Sequence, residues 1–278
     1  MSTRVSTEDE AVPVQPVIVA LLVVLVPVLV AAFIMLYLSP TDLGANRFAW
    51  SINPLMSSMM LGATYLGGAY FFVSVVRSRK WRHVWLGLLP VTAFAGTLGV
   101  ATVIHWDVFP ADRLGFQLWA FLYFAVPPIL PVLWYRNQRL AAGTAMAREG
   151  ELPTPSRWAF GALGVVLTVA GVAMFLVPEL AMGVWPWTLS PLTTRTLAAM
   201  YVLPGLTGLG LYYDGSWSGA RYLLGAMAIS IVLMLVAAYV ARADFDWANP
   251  TAYLFVGTLV AILLLIAYTY AARTESGA

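Results

Sequence analysis

Eight separate stretches of about twenty mainly apolar residues constrain this chain more than any other feature of its sequence. A helix of that length crosses the hydrocarbon core of a bilayer. Apolar residues make up 61% of the chain and charged residues only 10%, too few charges to cover the surface of a soluble globule of this size. The sequence therefore predicts an all-α integral membrane protein with about eight transmembrane helices. The stretches are residues 17–38, 55–76, 84–104, 115–135, 158–177, 191–213, 220–241 and 251–272.

The order of these stretches divides the chain into five parts. Residues 1–16 are polar and of mixed charge, which indicates a disordered tail. The first apolar run is longer than a signal-peptide core and has no small-residue cleavage site, so we expect it to remain as a span. Residues 17–136 and 158–273 then hold four spans each. Residues 137–157 form a polar linker between them, and residues 274–278 form a second tail.

The basic residues predict which side of the membrane each loop occupies. Basic loops stay on the cytoplasmic side. With the N-terminus inside, eleven of the fifteen basic residues are cytoplasmic, whereas the reverse orientation would place them outside. We therefore expect both termini, and the 137–157 linker, to be cytoplasmic. The predicted inner residues are Arg4, Arg77, Arg79, Lys80, Arg82, Arg136, Arg139, Arg148, Arg157, Arg221 and Arg273; the outer ones are Arg47, Arg113, Arg195 and Arg242.

A weak internal match indicates that the two halves are repeats. A shift of 137 residues superimposes Trp50 and Pro54 on Trp187 and Pro191. The same shift superimposes Asp107 on Asp244 and Arg136 on Arg273. Since four spans is an even number, two such repeats would have the same orientation, related by an axis along the membrane normal. The alternative is that two membrane helices preceded by Trp and Pro look alike by chance.

The proline of each match also has a local explanation. Asn53-Pro54 and Ser190-Pro191 both fit a helix start, with Asn or Ser as the N-cap and proline at the first helical position.

Several classes of function are excluded or disfavoured by residues that the chain lacks or separates. There is no cysteine, so thiolate catalysis and Cys-ligated metals are excluded. The basic residues are scattered, which argues against nucleic-acid binding. His83 and His105 lie at opposite ends of one span, about 33 Å apart, and cannot share a haem or a metal. No Asp, Glu or Lys lies deep in a predicted span, which disfavours a carboxylate proton relay. We expect no cofactor and no metal.

Polar residues collect at the predicted outer face, where they form a first candidate site. The cluster follows the third and seventh spans and includes one basic residue near the start of the sixth. It can be interpreted as a mouth that attracts a cation or polar solute, or as interfacial charges within an aromatic belt. An arginine near a helix N-terminus also calls for a nearby anion or for snorkelling to the interface. These residues are His105, Asp107, Arg195, Asp244 and Asp246.

The fourth span contains three prolines and two aromatic residues that form a second candidate site. Pro127, Pro128 and Pro131 remove backbone hydrogen bonds and should kink the helix. Trp119 and Tyr123 would lie on the face of the kink, at i and i+4. The arrangement is consistent with a substrate cavity beside a broken helix or with an ordinary packing kink.

The stretch Trp185-Pro-Trp187-Thr-Leu-Ser-Pro191-Leu-Thr, together with Phe48-Ala-Trp50 and His105-Trp-Asp107-Val-Phe109, resembles an uncharacterised family of prokaryotic, especially actinobacterial, multi-spanning membrane proteins. The resemblance implies a prokaryotic plasma-membrane location and supplies no catalytic residues. Similarity to rhodopsins fails because the only lysine, Lys80, lies in a predicted loop.

Three functions fit these observations. The first is a transporter or permease for a small solute or lipid that does not use a carboxylate proton relay. The second is a non-catalytic membrane subunit or scaffold. The third is a membrane enzyme that acts on lipid or quinone at the outer interface through His105 and Asp107. The expected partners are membrane lipids and either a second copy of the chain or another membrane protein.

Overall fold

A computed structural model describes residues 12–142 and 150–276, with side chains to residue 273. The predicted tails and the 137–157 linker, including Arg4 and Arg148, lie wholly or partly outside this part. The described residues form an all-helical fold with eight long helices and without a sheet. The helices are α1 (Pro16–Phe33, extended to Leu38 by a π-helical turn), α2 (Leu55–Ser78), α3 (Trp85–Ile104), α4 (Leu114–Ala141), α5 (Thr154–Leu176), α6 (Pro191–Asp214), α7 (Trp217–Val240) and α8 (Pro250–Ser276).

Seven of these helices are long and apolar enough to cross a membrane, as expected for a multi-pass membrane protein. The helix outside this set is α6, which has 24 residues but is less apolar than the others. It contains four threonines, and three of their hydroxyls donate to the carbonyl four residues earlier. These polar groups are therefore satisfied within the helix.

The helices form an inner group and an outer group. In the inner group, α2 packs against α7, and α6 packs against α3. The outer helices α1, α5, α4 and α8 pack on α2, α6, α3 and α7, respectively. The most apolar window of α2 is 72% buried, whereas that of α1 is 22% buried. Glycines allow α5 and α6 to approach closely, since a Cβ on Gly164 would lie 2.7 Å from the backbone nitrogen of Leu209.

Each half of the chain has the same backbone connection at one end of the bundle. In the first half, Val14 N–H donates to Arg79 O at 2.8 Å, and Trp81 N–H donates to Val12 O at 2.8 Å. In the second half, Leu152 N–H donates to Gly215 O at 2.8 Å, and Trp217 N–H donates to Gly150 O at 3.1 Å. These bonds attach the segment before α1 to the end of α2, and the segment before α5 to the end of α6.

The residues that end α2 and α6 share a left-handed backbone conformation. Arg79 has φ 51° and Gly215 has φ 63°. Glycine adopts this conformation without steric cost, whereas arginine does not. The chain turns sharply at both positions, and the following tryptophan is buried in each case.

The helix starts agree with the sequence in one half and differ in the other. Ser190 is the N-cap of α6 and accepts from Thr193 N–H at 3.2 Å, with Pro191 at the first position, as predicted. The prediction for α2 was wrong by one residue. Pro54 itself is the N-cap, after a cis peptide bond, and Asn53 donates to Ser51 instead. Proline has no side-chain acceptor, so the cap of α2 must come from elsewhere.

Candidate functional site

The first candidate site brings two of its five residues into direct contact. His105 follows the last residue of α3, and Arg195 lies in the first turns of α6. Arg195 Nη1 is 2.8 Å from His105 Nε2, and its Nε donates to the Phe175 carbonyl at 3.1 Å. Because arginine can only donate, Nε2 must accept, so His105 is neutral. The partner of Arg195 is thus an uncharged imidazole, whereas the sequence had left open a nearby anion or snorkelling to the interface.

Burial and the charge of Arg195 lower the pKa of His105, while Asp107 opposes this effect. Asp107 is itself exposed. Nε2 of His105 already accepts a hydrogen bond from Arg195, so it is not free to take a proton from a substrate. His105 is therefore a poor general base. The pair His105 and Asp107 therefore has no arrangement that favours catalysis.

The other two aspartates of this site cap local structure. Asp244 Oδ2 accepts from Met56 N–H at 2.8 Å, which supplies the missing cap of α2 from the opposite half of the chain. Asp246 Oδ1 accepts from Ala248 N–H at 3.0 Å within its own loop. A carboxylate at a helix N-terminus also interacts favourably with the helix dipole. Both side chains thus have structural roles.

The tryptophans of the internal match are buried in two aromatic clusters. Trp50 packs against Trp119 with ring centroids 4.8 Å apart. Trp187 packs against Phe245 at 4.9 Å, and its indole N–H donates to Ser57 Oγ at 2.9 Å. Trp187 therefore connects the segment before α6 with the first turn of α2.

The second candidate site is filled by side chains. Trp119 Nε1 donates to Thr102 Oγ1 at 2.8 Å, and the hydroxyls of Tyr123 and Tyr65 are 2.8 Å apart. Gly99 lies close to the Tyr123 carbonyl. The helix α4 continues without interruption through its three prolines, and Pro128 is on its exposed side. The aromatic side chains predicted to border a cavity here form a packed layer.

A cavity of about 520 Å³ lies among α2, α5, α6, α7 and α8, with most of its lining from the second half of the chain. Its volume is in the range of small-molecule sites. The lining is almost entirely apolar and includes four methionines, which adapt to varied ligand shapes. The lining residues are Met60, Thr64, Leu163, Val166, Leu167, Val184, Trp185, Pro186, Met200, Tyr201, Leu203, Pro204, Met227, Ser230, Ile231, Met234, Thr251, Leu254, Phe255, Thr258, Leu259 and Ile262.

The cavity is continuous with the outer surface of the bundle. Three of its lining residues are more than half exposed: Val166 on α5 at 62%, Val184 at 56% and Leu254 on α8 at 68%. The opening therefore lies between α5 and α8, the two outer helices on this side. Trp185 and Pro186 line the cavity near the start of α6.

Sequence reasoning missed this cavity. Trp187 was singled out for the internal match and Trp185 only for the family resemblance, although Trp185 is the residue that lines the cavity. No single span reveals such a site, because its walls come from five helices. The absence of bulky aromatics at the middle of α8 is the only signal in the sequence.

A buried ionic cluster at the opposite end of the bundle was also missed. Arg82 donates to Asp214 Oδ1 at 2.5 Å, with the two side chains 11% and 3% exposed, and to Ser216 Oγ at 2.7 Å. Asp214 in turn accepts from the hydroxyl of Ser216. The sequence contains a signal for this cluster, because Asp214 is the only acidic residue between Glu179 and Asp244 and lies at the end of an apolar stretch.

His83 belongs to the same end of the bundle and is buried, with 2% of its surface exposed. Ser78 Oγ and an Arg221 nitrogen lie 2.7 and 2.8 Å from its Nδ1. Two polar groups thus lie against Nδ1 of this buried ring. The cluster connects residues of α2 and α7 at this end of the bundle.

Within the described residues, no three His, Asp or Glu side chains are close enough to hold a metal ion. The cavity has a volume suited to a small molecule. Comparison with protein-family models, curated protein sequences and solved structures gives no match.

Proposed function

We propose that the chain crosses the bilayer eight times, with α6 as the additional span. At 1.5 Å per residue its 24 residues extend about 36 Å, enough to cross the hydrocarbon. It packs between α5 and α3, which shield it from lipid. A shielded helix can carry more polar residues than one exposed to lipid, which accounts for its composition.

The eight helices form two repeats of four in this proposal. A shift of 136 residues superimposes both ends of α2 (Leu55–Ser78) on those of α6 (Pro191–Asp214), and the end of α3 on the end of α7. It also superimposes Arg79 on Gly215, the two left-handed residues. The matching backbone connections and the reciprocal packing of α2 on α7 and α6 on α3 give further support.

This register differs by one residue from the 137-residue match of the tryptophans. Under the 136-residue shift, Asp244 corresponds to Val108, so Asp107 and Asp244 are not equivalent. That difference agrees with their unlike roles, one exposed and the other capping α2. An axis along the membrane normal would relate the two halves.

We place the protein in the plasma membrane of a prokaryote, with both termini cytoplasmic. The basic residues at the ends of α2, α4 and α8 support this orientation. The ionic cluster of Arg82 and Asp214 then lies at the inner end, and Trp185 lies at the outer end. The cavity would open to the outer half of the bilayer.

The function that the geometry supports best is passive transport of an uncharged, lipid-like molecule. The molecule would enter the cavity from the hydrocarbon between α5 and α8 and leave at the outer interface near Trp185. The apolar cavity that opens between two outer helices is the observation that carries this proposal. Its lining contains no charged residue, so the transport would not use a carboxylate proton relay.

The repeat suggests a variant that would close the cavity. Under the 136-residue shift, Leu259 corresponds to Tyr123 and Tyr201 corresponds to Tyr65, whose hydroxyls are bonded in the first half. Leu259→Tyr should therefore fill the cavity and bond to Tyr201. Leu264→Tyr is the matched control, because Leu264 lies on the same helix but is 64% exposed.

Binding can be tested by native mass spectrometry with dodecylbenzene, a wholly apolar probe, added to the purified protein in mild detergent. The wild type and Leu264→Tyr should retain the probe, whereas Leu259→Tyr should lose it. Transport can then be tested by the movement of pyrene from vesicles that contain the protein to acceptor vesicles. Equal retention by all three proteins, or no acceleration of transfer by the wild type, would contradict the proposal.

A further inference from the structure

The indole nitrogen of Trp185 is a hydrogen-bond donor without a partner. It is buried at the wall of the cavity, and no acceptor lies within reach in the described part of the chain. A buried donor that is left unsatisfied carries a free-energy cost, because it has lost its hydrogen bond to water. A ligand that supplies an acceptor would remove this cost.

Tyr201 adds a second donor beside it. The rings of Trp185 and Tyr201 are 6.0 Å apart, and both line the cavity. Within the described residues the hydroxyl of Tyr201 has no hydrogen-bond partner. The corresponding hydroxyl in the first half, that of Tyr65, is bonded to Tyr123. The second half therefore keeps an unpartnered hydroxyl where the first half satisfies it.

The other hydroxyls of the wall are satisfied by backbone carbonyls, as seen for Thr64, Ser230, Thr251 and Thr258. The two free donors are thus concentrated at one place. No charged side chain lines the cavity, so an ionic group inside would lack a counter-charge and would be strongly disfavoured.

We infer that the occupant of the cavity is an uncharged apolar molecule with a carbonyl-type acceptor oxygen, which Trp185 and Tyr201 bind by hydrogen bonds. A quinone and a neutral ester lipid both have this chemistry. The inference rests on the proposed function and specifies its substrate class. The apolar part of the molecule would lie among the methionines and reach the hydrocarbon between α5 and α8.

The test compares two probes at equal mole fraction in mild detergent, with binding read by native mass spectrometry. Decylubiquinone has carbonyl acceptors, whereas dodecylbenzene has none. The wild type should prefer decylubiquinone, and each of Trp185→Phe and Tyr201→Phe should reduce that preference about fivefold, the effect of one net hydrogen bond. Tyr253→Phe is the control, because Tyr253 is 63% exposed on α8 and is not part of the lining.

The outcomes separate the two proposals. If the wild type binds both probes equally, or if Trp185→Phe and Tyr201→Phe keep the preference, the inference about the acceptor oxygen is wrong. The proposed transport of an apolar molecule would still stand. If the wild type binds neither probe, the proposed function is wrong as well. A loss of preference in Tyr253→Phe would also contradict the assignment, because it would show that the cavity donors are not responsible.

Discussion

The contact between α5 and α6 gives a prediction whose size follows from the structure. A Cβ at position 164 would lie 2.7 Å from the backbone nitrogen of Leu209 and 2.9 Å from the carbonyl oxygen of Gly205. Both are backbone atoms of the neighbouring helix, so no side-chain rotation relieves the overlap. Gly164→Ala must therefore separate the two helices by several tenths of an ångström.

Such overpacking costs about 1–3 kcal/mol. The replacement of glycine by alanine within a helix also gains about 1 kcal/mol of helix propensity, which partly offsets that cost. Gly257→Ala is the control that measures the gain in helix propensity alone, because a Cβ there meets no atom within 4 Å. It gains the propensity term without the overlap. The difference between the two variants should therefore be about 1–3 kcal/mol.

The free energy of unfolding can be measured in detergent by denaturant titration, with tryptophan fluorescence or far-UV circular dichroism as the signal. The midpoint of Gly164→Ala should lie below that of the wild type, and the midpoint of Gly257→Ala should be equal or higher. If the two variants unfold at the same midpoint, the close contact between α5 and α6 does not exist in this form.

Two further predictions concern charged groups at the ends of the bundle. Asp214→Asn should lower stability by about 3–5 kcal/mol, since it leaves Arg82 buried without its counter-charge; Glu179→Gln, at an exposed position, should have almost no effect in the same titration. Stability should also fall as the pH drops below about 6.5, because the pKa of His105 is lower in the folded protein than in the unfolded chain, which therefore binds more protons. His105→Gln keeps an acceptor for Arg195 and should weaken this pH dependence in thermal melts; an unchanged dependence would show that another group is responsible.

The limits of the helices were predictable from the sequence because local forces decide them. The apolar stretches locate every long helix, and the predicted starts at residues 55 and 191 and the predicted end at residue 104 match the structure. The predicted end of the fourth span was too early, since α4 continues to Ala141 into the expected linker. Its last turns are polar, so hydrophobicity alone could not reveal them.

The partners of the polar residues could not be predicted in the same way. Arg195 and His105 are 90 positions apart in the sequence. Arg82 and Asp214 are 132 positions apart, and Asp244 and Met56 are 188 positions apart. Each contact depends on how helices of different halves pack together. The sequence suggested either an anion beside Arg195 or snorkelling to the interface, and a cluster of aspartates. In the structure Arg195 contacts a neutral imidazole, Asp107 is exposed, and Asp244 and Asp246 cap different segments.

The sequence by itself determined that this chain is a bundle of long apolar helices, because residues of this composition lose too much free energy if they are exposed to water. The tertiary structure alone decided where the apolar cavity lies. Trp119 and Tyr123 fill the space beside α4, whereas Leu259, which is smaller than Tyr123, leaves room beside α8. The volume left between helices depends on how side chains from several of them meet, and this information is not contained in any one stretch.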